Sequence, residues 1–409
     1  MGRYSQSFLF YALISIGAIV VFFASDLGGV YSSIASLIGI YLSKNIVFLF
    51  FSFINFSLSI AFDNFIRVDP YFYFYDGGGV SASYLCLIST LFYCFVGFVD
   101  YACGKRAGKG RLVDFAFPEI SPALFYPLIF LILGVAIFIV SKESFVLSAG
   151  YDAYELQKYP FLEYFGLAIA FMISAARTRQ QFFAAYFVGF LFSIVCLATS
   201  YRMVAIVCVL SLFAMRFNGR RISKKTVVLC WLAAYVGLTY ISYWRVGHFD
   251  VDLENIFGYY NGRMDNTFSG VIETALIYTK IGAQQDFSVN IGYMVGALLP
   301  LPNSFIPDSM LYIVDAMNQY YFPGGGALAG FIVYFNYIYV VPFSLYIFIA
   351  FYGARNRPIC GAMYFILFIV VARWSLYGPY VIFKFFGVLM FLLIASKLAD
   401  AVLVRSVKS

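Results

Sequence analysis

His248 is the only histidine in the chain, and it stands just after Arg245 in the run SYWRVGHFDVD. An imidazole with an ordinary pKa of about 6.5 suits proton transfer near neutrality. A guanidinium nearby offers a planar fork that matches phosphate or pyrophosphate in a bidentate way. Farther along, NGRMDN places Arg263 beside Asp265 in a turn context set by Asn261 and Gly262. Asp265 is the alternative general base. Two more arginines stand in short polar interruptions of apolar sequence: Arg202, after Tyr201 in ATSYRMV, and Arg373 in ARWSLYGPY. Cations with a nearby base are what transfer from a phosphorylated donor to a hydroxyl requires. Each residue also has a plainer reading. His248 reads equally as an ordinary surface histidine, Arg263 and Asp265 as partners of each other, and Arg202 as an arginine reaching lipid headgroups. No metal site is expected, because His248 has no second histidine, no HExxH pattern and no partner cysteine.

Most of these residues fall in the stretch 244–327, the only long interruption of a sequence that is otherwise almost continuously apolar. Within it, Phe268, Val271, Ile272, Ala275 and Leu276 recur at helical spacing with Glu273 and Thr274 off that face. The pattern predicts an amphipathic helix lying on a membrane or against other helices. Pro300, Pro302 and Pro307 then form a rigid turn, with Asp308 and Ser309 as helix-capping candidates. The run Gly324, Gly325, Gly326 permits close backbone approach to a ligand.

The elements that must position these residues are membrane helices. With 409 residues, 63% of them hydrophobic and only 11% charged, and a mean hydropathy of +0.86, the chain is expected to be polytopic rather than soluble. The apolar runs are long and do not alternate, which excludes a β-barrel and gives an all-α polytopic membrane protein. About 12 transmembrane helices are predicted, near 8–24, 29–42, 45–62, 82–101, 122–141, 161–176, 181–199, 203–217, 226–243, 328–352, 359–372 and 379–396. The first three are expected to be plain packing or lipid-facing helices.

Basic residues stay with short cytoplasmic loops. GKRAGKGR at 104–111, Arg177 with Arg179, the cluster Arg216 to Lys225, Arg355 with Arg357 and the tail alternate along the chain; with Arg3 and Lys44 they hold 18 of the 27 basic residues. The opposite side holds 16 of the 20 acidic residues. Both termini are therefore predicted to be cytoplasmic, with the large loop 244–327 and the smaller loop 142–160 extracytoplasmic. Cytoplasmic anchoring accounts for the net charge of +7, so no nucleic acid partner is expected. None of the seven cysteines is placed for a disulfide. Lys384 lies inside an apolar run and is expected to face a bundle interior or snorkel outward.

On these features the chain resembles the Wzy-type O-antigen polymerases, oligosaccharide repeat-unit polymerases of the bacterial inner membrane. The resemblance rests on the many spans, the late periplasmic loop, ATSYRM, and PxxxxPD from Pro302 to Asp308 with its Gly-rich return. Relatives often carry Arg after the first proline of that run and Lys after its aspartate. Here Asn303 and Ser309 stand there, which shifts the expected cation role to Arg202, Arg245 and Arg263.

The resemblance implies a multi-pass glycosyltransferase acting at the periplasmic face. It would move a growing glycan from undecaprenyl pyrophosphate onto the non-reducing end of a new repeat unit, by inverting displacement without metal or cofactor. Arg202, Arg245, Arg263 and Arg373 would hold pyrophosphate, and His248 or Asp265 would act as base. Tyr201, Asn303, Asp308 and Gly325 would position substrate. Membrane lipid and lipid-linked oligosaccharides are the implied partners, with a polysaccharide chain-length regulator as a further candidate. The competing readings are an O-antigen ligase and a lipid-linked oligosaccharide flippase.

Overall fold

The computed structural model describes residues 3–68, 81–104, 112–142, 160–199, 201–245, 267–281, 328–376 and 378–408. Among these residues every regular element is a helix. In chain order the helices are α1 (Arg3–Ala24), α2 (Gly28–Leu42), α3 (Ile46–Val68), α4 (Ala82–Gly104), α5 (Phe125–Lys142), α6 (Phe165–Ala175) and α7 (Arg179–Ala198). They continue with α8 (Arg202–Phe217), α9 (Lys224–Arg245), α10 (Thr267–Ile281), α11 (Leu328–Gly353), α12 (Pro358–Ile369), α13 (Val371–Leu376) and α14 (Tyr380–Lys408).

Every one of the apolar runs expected to span lies on a helix. Among the described residues, five stretches meet both the length and the hydropathy needed to cross a bilayer: Ile46–Asp63, Ala82–Cys103, Pro122–Lys142, Arg179–Ala198 and Tyr380–Val402. Others, such as Phe8–Ala24, Gly28–Leu42 and Pro358–Ile369, are apolar but shorter. The expected span at 359–372 is not continuous. Its helix stops at Ile369, and the chain restarts as the six-residue α13.

The chain forms two compact units interleaved in sequence. Unit 1 comprises Met1–Lys109, Phe257–Gly353 and Val370–Lys384; unit 2 comprises Gly110–Ile256, Ala354–Ile369 and Phe385–Ser409.

In unit 1, α3 runs through the interior against α2, α4, α10 and α13. Of the two alternatives expected for the first helices, packing or facing lipid, α3 takes packing. A Cβ at Gly29 would stand only 2.6 Å from the backbone of Asp63, so α2 and α3 meet almost backbone to backbone. That closeness brings small polar side chains together. Asn55 Nδ2 donates to Ser36 Oγ at 2.8 Å, Ser59 Oγ to Ser32 Oγ at 2.7 Å and Thr90 Oγ1 to the same Ser32 oxygen at 2.9 Å. Ser89 Oγ donates to Asn55 Oδ1 at 3.2 Å, and Ser52 and Tyr93 share a hydroxyl pair at 2.9 Å. The seam is buried and hydrogen-bonded, as polar groups away from water must be. At one end of α3 the buried Asp100 accepts from the Lys44 N–H at 2.8 Å and from Asn45 Nδ2, while Asn45 Oδ1 caps the Phe48 N–H at 3.0 Å.

In unit 2, α7 and α8 form a tight hairpin against α5 and α6, with α12 on α8. The packing again uses glycine. A Cβ at Gly166 of α6 would meet Val207 at 2.5 Å. A non-helical segment, 112–121, ties one end of the unit together. The Val113 carbonyl accepts from the Gly219 N–H at 2.9 Å, and the Ala116 N–H donates to the Ala354 carbonyl at 2.7 Å. Phe115 exchanges hydrogen bonds with the Asn218 side chain at 2.9 and 2.8 Å. The Ser121 N–H donates to Ser396 Oγ at 2.8 Å, and Asp114 pairs with Arg355 at 3.1 Å. Gly219 turns the chain out of α8 with a φ of 72°, a left-handed value that favours glycine. Arg177, donating to the Ile120 carbonyl at 3.0 Å, meets the same segment that Arg355 does.

Candidate functional site

Of the residues singled out in the sequence, Tyr201 and Arg202 are placed best. Thr199 ends α7 by donating its Oγ1 to the Val195 carbonyl at 2.7 Å. Tyr201 occupies the N-cap position of α8 and is 3% exposed, but its side chain does not cap the helix. The first N–H groups of α8 are thus not met by the residue that would ordinarily satisfy them. Arg202, half-buried, is the first residue of α8. A guanidinium at the positive end of a helix combines charge, side-chain donors and backbone donors in one place, which suits an anion.

The same end of unit 2 holds a carboxylate that the sequence reading passed over. A 3-10 turn at Pro160–Tyr164 leads into α6 and also packs against α8, and it carries Glu163, which is 5% exposed. Because α6 and α8 both start at this end, Glu163 and Arg202 enter the bundle together. An acid at the head of the apolar run PFLEYFGLAIAF was the available signal. The neighbouring Tyr164 lies edge-on against Phe385, with ring centroids 5.1 Å apart.

Arg373 belongs to unit 1 and is half-buried on α13, which packs against α3 and α11. Its neighbour Trp374 is fully enclosed, 4.7 Å from the Phe51 ring and 5.5 Å from Phe343. Rather than capping a continuous span, Arg373 sits on a short helix anchored by that indole. Gly378, with a φ of 111°, then redirects the chain into α14. Lys384 lies over the Tyr380 ring at 5.8 Å, a cation–π arrangement that neither sequence alternative described.

The amphipathic helix expected around residue 270 is α10, which packs on α11, α3 and α4 rather than lying apart from them. Val271, Ile272, Ala275 and Leu276 are buried as the spacing predicts. Thr274, expected off the apolar face, is buried too; its Oγ1 donates to the Gly270 carbonyl at 2.8 Å, which removes the cost of enclosing a hydroxyl. Glu273 is half-buried, and desolvation raises its carboxyl pKa above the ordinary value.

Arg245 closes α9. His248, Arg263, Asp265, Asn303, Asp308 and Gly325 lie outside the described residues, as does most of the expected loops 142–160 and 244–327. Among the described residues, no three His, Cys, Asp or Glu side chains stand together as metal ligands would. Of the expected cations, the two whose side chains are described fall in different units, Arg202 with Tyr201 and Glu163 in unit 2 and Arg373 in unit 1. Compared with known proteins, the chain matches no family model, no curated protein and no solved structure.

Proposed function

We propose that the protein is a Wzy-type repeat-unit polymerase, joining undecaprenyl-pyrophosphate-linked oligosaccharides at the periplasmic face of a bacterial inner membrane. In this reading the chain spans about twelve times, with both termini cytoplasmic. The observation that carries it is Arg202 at the start of α8, whose N-cap residue Tyr201 makes no side-chain cap, beside the turn that holds Glu163. A lipid pyrophosphate lies at the membrane surface, where such a helix start belongs if α7 and α8 cross the bilayer.

In the reaction, an acceptor hydroxyl of the new repeat unit attacks the anomeric carbon of the donor. The bond between that carbon and the pyrophosphate oxygen breaks, and undecaprenyl pyrophosphate leaves with the electron pair. Arg202 would meet the charge that develops on the leaving oxygen, with Arg245, Arg263 and Arg373 as the further pyrophosphate-binding candidates. His248 or Asp265 would take the hydroxyl proton, and Tyr201, Asn303, Asp308 and Gly325 would position the sugars. Glu163 joins His248 and Asp265 as a candidate base.

A flippase built from repeated halves fits less well, since the two units are interleaved along the chain instead of dividing it into halves. Deletion in the native host followed by gel separation of lipopolysaccharide tests the proposal. A ladder reduced to core plus one repeat unit supports it. Core alone, with no O-antigen, points to the ligase or flippase and refutes it.

A further inference from the structure

Where α6 gives way to α7, and where α8 ends, unit 2 contains a cavity of about 1290 Å³. That exceeds the ~300–1,000 Å³ of an ordinary small-molecule pocket. Arg177 and Arg179 border it from the α6–α7 junction, and Arg216 and Arg220 from the end of α8. Among the described residues no acidic residue lines it and no carboxylate pairs with Arg179, Arg216 or Arg220. Arg177 is fixed at the rim, donating to the Ser174 carbonyl at 2.9 Å and to the Ile120 carbonyl at 3.0 Å. Below the cations the wall is apolar, with Phe183 and Phe190 from α7 and Val209 and Phe213 from α8. Phe183 and Phe190 are largely exposed, so the cavity opens along the outward face of α7.

Four arginines bordering a laterally open aromatic wall call for an amphiphile with a negative head. We infer that this cavity binds an anionic glycerophospholipid of the cytoplasmic leaflet, its phosphodiester among Arg179, Arg216 and Arg220 and its acyl chains along Phe183, Phe190 and Val209. The leaflet follows from the loops involved, which are among the most basic in the chain. Arg216 is fourteen residues along α8 from Arg202, roughly 21 Å at 1.5 Å per residue. The lipid site is thus separate from the proposed pyrophosphate site and does not depend on it.

Native mass spectrometry of the purified full-length protein tests the inference, with dioleoylphosphatidylglycerol and dioleoylphosphatidylcholine supplied in equal amounts. Wild type should retain the anionic lipid preferentially. The double variant Arg216→Gln, Arg220→Gln should lose that lipid by about 25-fold, at about fivefold per arginine near the membrane surface. Val209→Trp, at a position 48% exposed, fills the groove without altering charge and should reduce retention of both lipids. Arg221→Gln removes an equal charge just outside the cavity and should cost clearly less than Arg220→Gln. Equal retention of the two lipids by wild type overturns the inference, as does an equal loss from Arg221→Gln. Displacement of the bound lipid by inorganic phosphate would mark a free-anion site instead and also overturn it. The wild-type comparisons decide the matter even if the double variant fails to insert.

Discussion

Replacing Arg202 with alanine removes a guanidinium but leaves the start of α8, with its backbone N–H groups and dipole, in place. Only the side chain's share of pyrophosphate stabilisation is therefore lost. Removing one donor aimed at developing negative charge lowers kcat by about 10²–10³-fold, or roughly 2.7–4 kcal/mol. Arg202 is half-buried rather than enclosed, so solvent weakens its field and the expected loss lies near the lower end, about 10²-fold. Arg202→Lys keeps the charge and loses the fork, for a smaller loss of about tenfold. The assay uses purified variants with undecaprenyl-pyrophosphate-linked repeat units, reading the polymer ladder over time, with membrane levels compared by immunoblot. Activity of Arg202→Ala within about threefold of wild type, under 0.7 kcal/mol, at equal protein level would refute the assignment of Arg202 to the leaving group.

Three predictions concern stability, each read by thermal unfolding in detergent. Burial raises the Glu273 pKa, so folding favours the protonated acid; this contribution is full below the ordinary carboxylate range and is lost as pH rises through the raised value. Glu273→Gln should therefore be more stable than wild type at pH above about 7, with the difference vanishing near pH 4; a gap that widens on acidification would contradict this. Gly29→Ala places a methyl against the Asp63 backbone and should cost about 1–3 kcal/mol, whereas Gly28→Ala, whose nearest neighbour is 3.9 Å away, should be close to neutral. Asn55→Leu removes the partners of Ser36 and Ser89 and should cost about 1–3 kcal/mol, at about 0.6–1.7 kcal/mol per interhelical hydrogen bond; unfolding at the wild-type temperature would show the seam to be idle.

Helix positions were legible because a bilayer-length apolar run has few alternatives, and each expected run does carry a helix. The buried seam was not read, although Ser52, Asn55 and Ser59 follow helical spacing on α3. Hydropathy treats such residues as mild interruptions, and their meaning appears only when α2 and α4 bring partners. The break at Val370 has no proline or glycine to announce it; there the Trp374 N–H still donates to the Val370 carbonyl at 3.0 Å. Arg202 was singled out because a cation between two apolar runs is rare. Glu163 was missed because its enclosure depends on α8, some forty residues later in the chain.

The segment 112–121 also bears on the order in which the protein can be completed. It is synthesised early, yet its hydrogen-bonding partners are Asn218, 103 positions later, and Ser396, 275 positions later. While the ribosome is still making the second half of the chain, the backbone groups of Phe115 and Ser121 must rely on water or on temporary partners. A chain stopped before Ser396 would hold most of its helices and still leave this junction unfinished. Only when α14 supplies the Ser396 hydroxyl is the Ser121 N–H closed off.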